Sequence, residues 1–370
     1  MPRLTPPSDR FADVDRIGVV RGGGLGDLLF ALPAVQALAA AYPNADVTLF
    51  GTPLHRALLT DRPGSPVRTV RELPYSPGIR EVDGAPDLGG FLEEVRAMRL
   101  GLVAQMHGGG RNSNPFALAL GGRHTIGTRT DDAVALERTI PYRYYQHEVL
   151  RWLEVAALGG ATAVELEPVL QARPDEISAA DAMLPGGPRV VLHPGATDPR
   201  RRWPAERFGE LAARMARRGR TVAVVGDASE AALVDTVLAA ANPRLEPAER
   251  DLVVPLAGRL DIGGLVGVLA SASVVVANDS GPRHLAQALG APTVGVFWVG
   301  NAINAMPQTR AQHRLFLGWT TRCPVCGVDV TQVGWTAERC IHDPSFVADV
   351  PLEEVEAEVE DLLATSAPPR

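Results

Sequence analysis

The sequence predicts an α/β protein of GT-B type layout, with two Rossmann-like, doubly wound domains facing one another across a cleft. Three observations carry this. Short β-branched runs alternate with stretches of helical apolar spacing, the pattern of parallel strands joined by crossover helices. The alternation starts near residue 16 and restarts after residue 188. The 370 residues suffice for two domains at about 100–200 residues each.

In chain order, RIGVV (16–20) reads as a first strand and RGGGLGD as a turn into the helix LLFALPAVQALAAAY. DVTLFG reads as a second strand, and GLVAQMHGGG, around 101–110, as a third that runs into another glycine-rich loop. The Pro and Gly residues of QARPDEISAADAMLPGGP mark a linker near 172–188. The second half repeats the grammar with strands in RVVLHPGA, RTVAVVGD, SVVVAND and PTVGVFW. Helices in PAERFGELAARMARRG, SEAALVDTVLAAAN and GPRHLAQALG separate them, and the acidic helix PLEEVEAEVEDLLA follows a loop-rich segment. The expected domains are 1–175 and 176–370, with ligands bound at the carboxyl ends of the strands.

Composition narrows the function. Hydrophobic residues make up 46% and charged ones 21%, as in soluble globular proteins. No run approaches the length of a membrane-spanning helix. The stretch MPRLTPPSDRFADVDR lacks the apolar region of an export signal, so a cytoplasmic location is expected. A net charge of −7 argues against a nucleic-acid partner. All 36 basic residues are arginine, which removes the lysine that P-loop NTPases, protein kinases, Schiff-base enzymes and pyridoxal enzymes require. An anionic ligand must therefore be held by arginine, helix N-termini or histidine.

Three loops can carry chemistry. RGGGLGD (21–27) lets backbone approach a ligand, but counting G-x-G-x-x-G from Gly22 ends on Asp27, so a nicotinamide-dehydrogenase fingerprint fails. Asp27 has two readings, a helix N-cap or a carboxylate that takes a proton from a substrate hydroxyl. HPGATDPRRRWP (193–204) is either a solvated arginine run or a phosphate turn, with Thr197 adding a hydroxyl and Pro204 suited to the first turn of the next helix. In ANDSGPRHLA (277–286), Asp279, Ser280 and Gly281 precede a helix starting at Pro282. They are either an ordinary cap with His284 facing solvent or a second phosphate turn, and two such turns suit a diphosphate. Asp13-Val14-Asp15, which matches a metal-binding D-x-D, precedes the first strand and reads as surface.

The segments GGGLGDLLFALPAVQAL, VVLHPGATDPRRRWPAERFGELA and ANDSGPRHLAQALGAPTVGVF together resemble glycosyltransferase family 9, the family of the ADP-heptose:lipopolysaccharide heptosyltransferases, over about residues 16–362. The resemblance implies a GT-B fold and inverting transfer of a sugar from a nucleotide-diphosphate donor, without a catalytic metal. It points to heptose carried on ADP and to a cell-envelope glycan or lipid-linked acceptor, with peripheral contact at the inner membrane if that acceptor is anchored there. It makes Asp27 the catalytic base and places Thr197, Arg201, Arg202, Asp279, Ser280, Gly281 and His284 on the donor. On that reading the N-terminal domain is the acceptor side and the C-terminal domain binds the nucleotide sugar. Gly24 and Gly26 belong to the acceptor-side loop. His107, Arg111 and Asn112 either line that side too or form a structural loop. The chain departs from the family in carrying Gly22-Gly23-Gly24 where serines are common, and Arg201 where many members have lysine. Two alternatives are a GT-B enzyme of another kind, such as a sugar-nucleotide epimerase, and a non-catalytic sugar-nucleotide-binding module. Asp27 together with both phosphate turns favours transfer.

No cofactor is expected for catalysis. Cys323, Cys326, Cys340 and His342 form C-x2-C-x13-C-x-H, a set suited to a structural zinc. Free thiols and redox pairing of Cys323 with Cys326 are the competing readings.

Overall fold

The computed structural model describes residues 8–184, 186–331 and 339–365. Residues 1–7 of the polar N-terminal stretch and Pro185 of the expected linker lie outside them. The chain divides into two compact units, Met1–Gln171 and Ala172–Arg370.

The first unit carries β1 (Arg16–Val20), β2 (Asp46–Gly51), β3 (Thr69–Glu72), β4 (Leu102–Gln105), β5 (His124–Arg129) and β6 (Arg138–Pro141). They form one sheet in the order β3-β2-β1-β4-β5-β6, every pairing parallel. The second unit carries β7 (Arg189–His193), β8 (Thr221–Val224), β9 (Val253–Pro255), β10 (Val274–Asn278), β11 (Thr293–Trp298) and β12 (His313–Gly318). Their order is β12-β11-β10-β7-β8-β9, again all parallel. Relabelled from each unit's first strand, the two orders are identical. In each sheet the winding reverses beside the first strand, between β1 and β4 and between β7 and β10. Such a switch point opens a crevice at the strand carboxyl ends, where doubly wound sheets bind ligands.

The central strands are buried on both faces, and this is why they read as continuous apolar runs. Five strands escape the sequence reading: β3, β5, β6, β9 and β12. Four of these are sheet edges, where one side meets solvent and sequences such as TVRE or RTIP show no apolar run.

The expected linker near 172–188 is corrected. It contains the helix Pro174–Met183, which belongs to the second unit. Pro174 opens this helix rather than breaking it, since proline in a first turn forgoes only an N–H that has no helical partner. The Glu176 carboxylate accepts the Arg173 N–H at 2.8 Å and closes that turn. A Cβ on Gly267 would lie 2.0 Å from the Glu176 carbonyl oxygen, so the helix Ile262–Ala270 packs backbone to backbone against it.

The final helix, Leu352–Thr365, buries Val355, Val359 and Leu362 in the core of the second unit. Its acidic face pairs with arginines: Glu356 with Arg214 and Arg218, and Glu360 with Arg218 and Arg220. Among the described residues no helix is long and apolar enough to cross a membrane.

Candidate active site

In the first unit, the turn after β1 enters the helix Leu25–Ala41. Asp27 lies in the first turn of this helix, and its Oδ2 accepts the Gly24 N–H at 2.9 Å. It closes the turn from inside and is not the N-cap itself. Gly23 makes this possible: its φ is +90°, and a Cβ there would sit 2.5 Å from Asp27 Oδ2. The Asp27 side chain is 51% exposed. Its Oδ1 accepts from Arg21 Nη2 at 2.9 Å, and the guanidinium also donates to the Asp27 and Met106 carbonyls, at 2.7 and 2.8 Å. Arg21 is buried, lies 4.9 Å from the centre of the Trp152 ring, and stands 3.5 Å from Glu148. A carboxylate offers about four lone-pair directions. These two bonds leave Asp27 open toward solvent.

Two histidines flank the turn. His107 Nδ1 accepts the Gly22 N–H at 3.3 Å while Nε2 donates to the Gly78 carbonyl at 2.9 Å. Burial lowers its pKa, and the charge of Arg21 lowers it further. His55 is fully buried, with Nδ1 accepting from Thr52 N–H and Nε2 donating to the Gly24 carbonyl, both at 3.3 Å. Burial pushes its pKa down to about 4. Both rings are therefore neutral braces near pH 7. Arg111 and Asn112, by contrast, are exposed, and Arg111 stands 3.5 Å from Asp132.

In the second unit the turns after β7 and β10 are tied together. Asn278, at the end of β10, donates from Nδ2 to the Pro194 and Gly195 carbonyls at 2.8 and 3.3 Å, and its Oδ1 accepts the Trp203 N–H at 2.8 Å. One buried amide thus holds both ends of the arginine turn. Within it the three arginines diverge. Arg200 is buried against Asp198, Arg202 Nε donates to the Ala196 carbonyl at 2.9 Å, and Arg201 Nη1 reaches Asp279 Oδ2 at 3.3 Å. The solvated-run reading is overturned, because each guanidinium has a partner within the fold. Thr197 is exposed on the same turn.

Asp279 is buried. His284 Nε2 donates to Oδ1 at 3.0 Å, and Asn301 donates to Oδ2 at 2.8 Å. Burial alone would raise its pKa, but His284, Arg201 and Asn301 outweigh that and bring it to about 2. His284 Nδ1 accepts from Arg283 at 2.8 Å, which fixes the tautomer. The solvent-facing reading of His284 is therefore corrected: only 4% of the residue is exposed. Ser280 precedes the helix Gly281–Ala288, and its Oγ lies 3.0 Å from His193 Nδ1. His193 Nε2 in turn meets Glu230 Oε2 at 3.2 Å. Burial pushes the Glu230 carboxyl up, but His193 and the Asp227 N–H together outweigh it and leave the pKa lowered. A Cβ on Gly195 would lie 1.7 Å from Glu230 Oε1, so this carboxylate needs the glycine beneath it.

Near the end of the chain, the Sγ atoms of Cys323, Cys326 and Cys340 and a ring nitrogen of His342 all lie within 4.8 Å of one another.

Residues 100–323, more than half the chain, match glycosyltransferase family 9 (heptosyltransferase). The chain belongs to this family. It is accordingly a glycosyltransferase, of GT-B fold. The lipopolysaccharide heptosyltransferase 2 of Escherichia coli K12 is 27% identical over 301 residues, which cover 76% of this chain and 82% of that protein. The structure of the E. coli ADP-heptose lipopolysaccharide heptosyltransferase II superposes with a TM-score of 0.73 at 20% identity, covering 94% of this chain and 98% of the other. A family 9 glycosyltransferase from Veillonella parvula gives 0.76 at 17%, covering 97% and 100%. At these identities the two superpositions speak for the fold alone.

Several residues around these family 9 turns were not singled out in the sequence: Arg21, His55, His193, Glu230, Asn278 and Asn301. Arg21, His193 and Asn278 end or directly follow central strands, a positional signal that could have marked them. His55, Glu230 and Asn301 come from other loops and helices and carry no local mark.

Proposed function

We propose that this enzyme moves heptose from ADP-heptose, with inversion and without a catalytic metal, onto a hydroxyl of a cell-envelope glycan or lipid-linked acceptor. The half-exposed Asp27 carboxylate, held at the carboxyl end of β1 with lone pairs to spare, carries the reading. A module that only bound sugar nucleotides would need no such base.

The first unit, Met1–Gln171, is the acceptor side, with Gly24, Gly26 and His107 shaping the Asp27 loop. The second, Ala172–Arg370, is the donor side. The acceptor oxygen attacks the anomeric carbon as the bond from that carbon to the diphosphate oxygen breaks. The electron pair leaves with ADP, and the hydroxyl proton passes to Asp27. Charge developing on the diphosphate meets Arg201, the Thr197 hydroxyl and the N-terminus of Gly281–Ala288, where guanidinium and helix dipole stabilise it in place of a metal. Asp279, held by His284, positions Arg201, His193 orients the Ser280 hydroxyl, and Arg202 fixes the turn through its own backbone contact. Glu230 is an acceptor-only group among these donors and suits the ribose hydroxyls. The protein works in the cytoplasm, touching the inner membrane peripherally where its acceptor is anchored there.

The test is calorimetric titration with ADP, UDP and GDP in EDTA, followed by transfer assays with ADP-heptose. Metal-independent preference for ADP with turnover is expected. Preference for UDP or GDP would move the donor away from ADP-heptose.

A further inference from the structure

The loop-rich segment between β12 and the last helix plays no part in the mechanism above, yet it gathers three thiols and an imidazole. We infer that Cys323, Cys326, Cys340 and His342 bind one structural zinc ion, which clamps this segment against the arginine turn of the donor side.

The first two ligands sit on a preformed knuckle. In Cys323-Pro-Val-Cys326-Gly327, the Gly327 N–H donates to the Cys323 carbonyl at 2.8 Å and the Cys323 N–H donates to Val328 at 2.9 Å. Gly327 adopts φ +72°, which turns the chain back beneath the sulfurs. Cys340 and His342 complete the set. Cys323 Sγ stands 3.8 Å from His342 Nδ1. A tetrahedral zinc with Zn–S of about 2.3 Å and Zn–N of about 2.0–2.1 Å needs ligand atoms roughly 3.5–3.8 Å apart. Three sulfurs and one imidazole are a closed structural set for zinc.

The segment also needs a staple. Among the described residues, the part around the ligands buries a small cluster of Cys323, Val330 and Phe346, and only beyond it do Val347 and Val350 join the core of the second unit, so apolar burial holds the ligand loop weakly. What it holds is the donor turn. Just beyond His342, the Phe346 N–H donates to the Arg200 carbonyl at 2.6 Å, and Ser345 Oγ donates to the Arg202 carbonyl at 2.7 Å. The Arg200 guanidinium lies 5.1 Å from the centre of the Phe346 ring. The carbonyls on either side of Arg201 are thus both fixed from the metal-binding segment. That Arg201 serves the donor rests on the function proposed above; the metal site and the clamp do not.

The experiment measures metal in the full chain purified under reducing conditions, followed by exchange with cobalt. About one zinc per chain, and the visible absorption of tetrahedral thiolate-bound cobalt, are expected. Cys326→Ser should lose both, whereas His342→Cys should keep zinc bound. Hydrogen exchange across residues 199–203 should rise about tenfold or more when zinc is stripped, and ADP binding should weaken by a similar factor. A chain that takes up neither zinc nor cobalt, or yields a Cys323–Cys326 disulfide instead, overturns the site. One iron per chain overturns the choice of zinc. Unchanged exchange at 199–203 on stripping overturns the clamp, even where ADP fails to bind at all.

Discussion

Two aspartates follow central strands beside the switch points of their sheets, and the structure treats them oppositely. Asp27, after β1, is half exposed and has one arginine and one backbone N–H as partners. Asp279, after β10, is buried and saturated by His284, Arg201 and Asn301. A carboxylate left open can accept a proton in the reaction, while one enclosed by donors and pulled to about 2 is a fixed anion that aligns its neighbours. The same residue type thus serves as base or as anchor according to what surrounds it.

The contrast can be broken most directly at Asp27. In Asp27→Asn, kcat should fall by roughly 10³–10⁴-fold, while ADP affinity measured calorimetrically stays within about twofold, because only the base is removed. An equal loss in both quantities would make Asp27 a second anchor.

Acid should separate the two regions next. His55 beneath the Asp27 turn has its folded pKa depressed to about 4 from 6.5. The unfolded chain therefore binds the proton first, and stability drains as pH falls from about 6.5 to 4, by roughly 3 kcal/mol from this group. Asp279 behaves differently: with a pKa lowered from 3.8 to about 2, its contribution persists until pH drops below about 4. Denaturant melts of wild type and His55→Gln between pH 7 and 4 check this, the wild type showing the steeper decline.

Arg201→Ala should weaken ADP binding by about 10–100-fold, as expected for loss of a charge-assisted contact, with Arg201→Lys recovering part of it. Undiminished ADP affinity in Arg201→Ala would leave the Asp279 cluster as a purely structural cap. Gly23→Ala should cost roughly 1–2 kcal/mol of stability and also depress kcat, because the added methyl collides with the Asp27 carboxylate. Arg111→Ala, at an exposed ion pair outside the Asp27 turn, should shift stability by no more than about 0.5 kcal/mol.

Much of this molecule is determined by sequence alone. The central strands and their glycine-rich turns follow from continuous apolar runs ending in Gly, Asp or Asn, since backbone conformation and burial on both faces are local or periodic demands. The same locality placed Asp27, Arg201 and Asp279 on strand-to-helix turns. Edge strands, the helix at Pro174–Met183 and the burial of His284 were decided by tertiary structure. An edge needs only one apolar face, a proline opens or ends a helix according to its neighbours, and a histidine is buried by whatever packs over it. The partner sets lie further still from local signal. Asp279 meets Arg201 from 78 residues away and Asn301 from 22, and Glu230 reaches His193 across 37. Which carboxylate stays open and which is enclosed depends on those long-range meetings, because sheet order, and not spacing along the chain, brings the partners together.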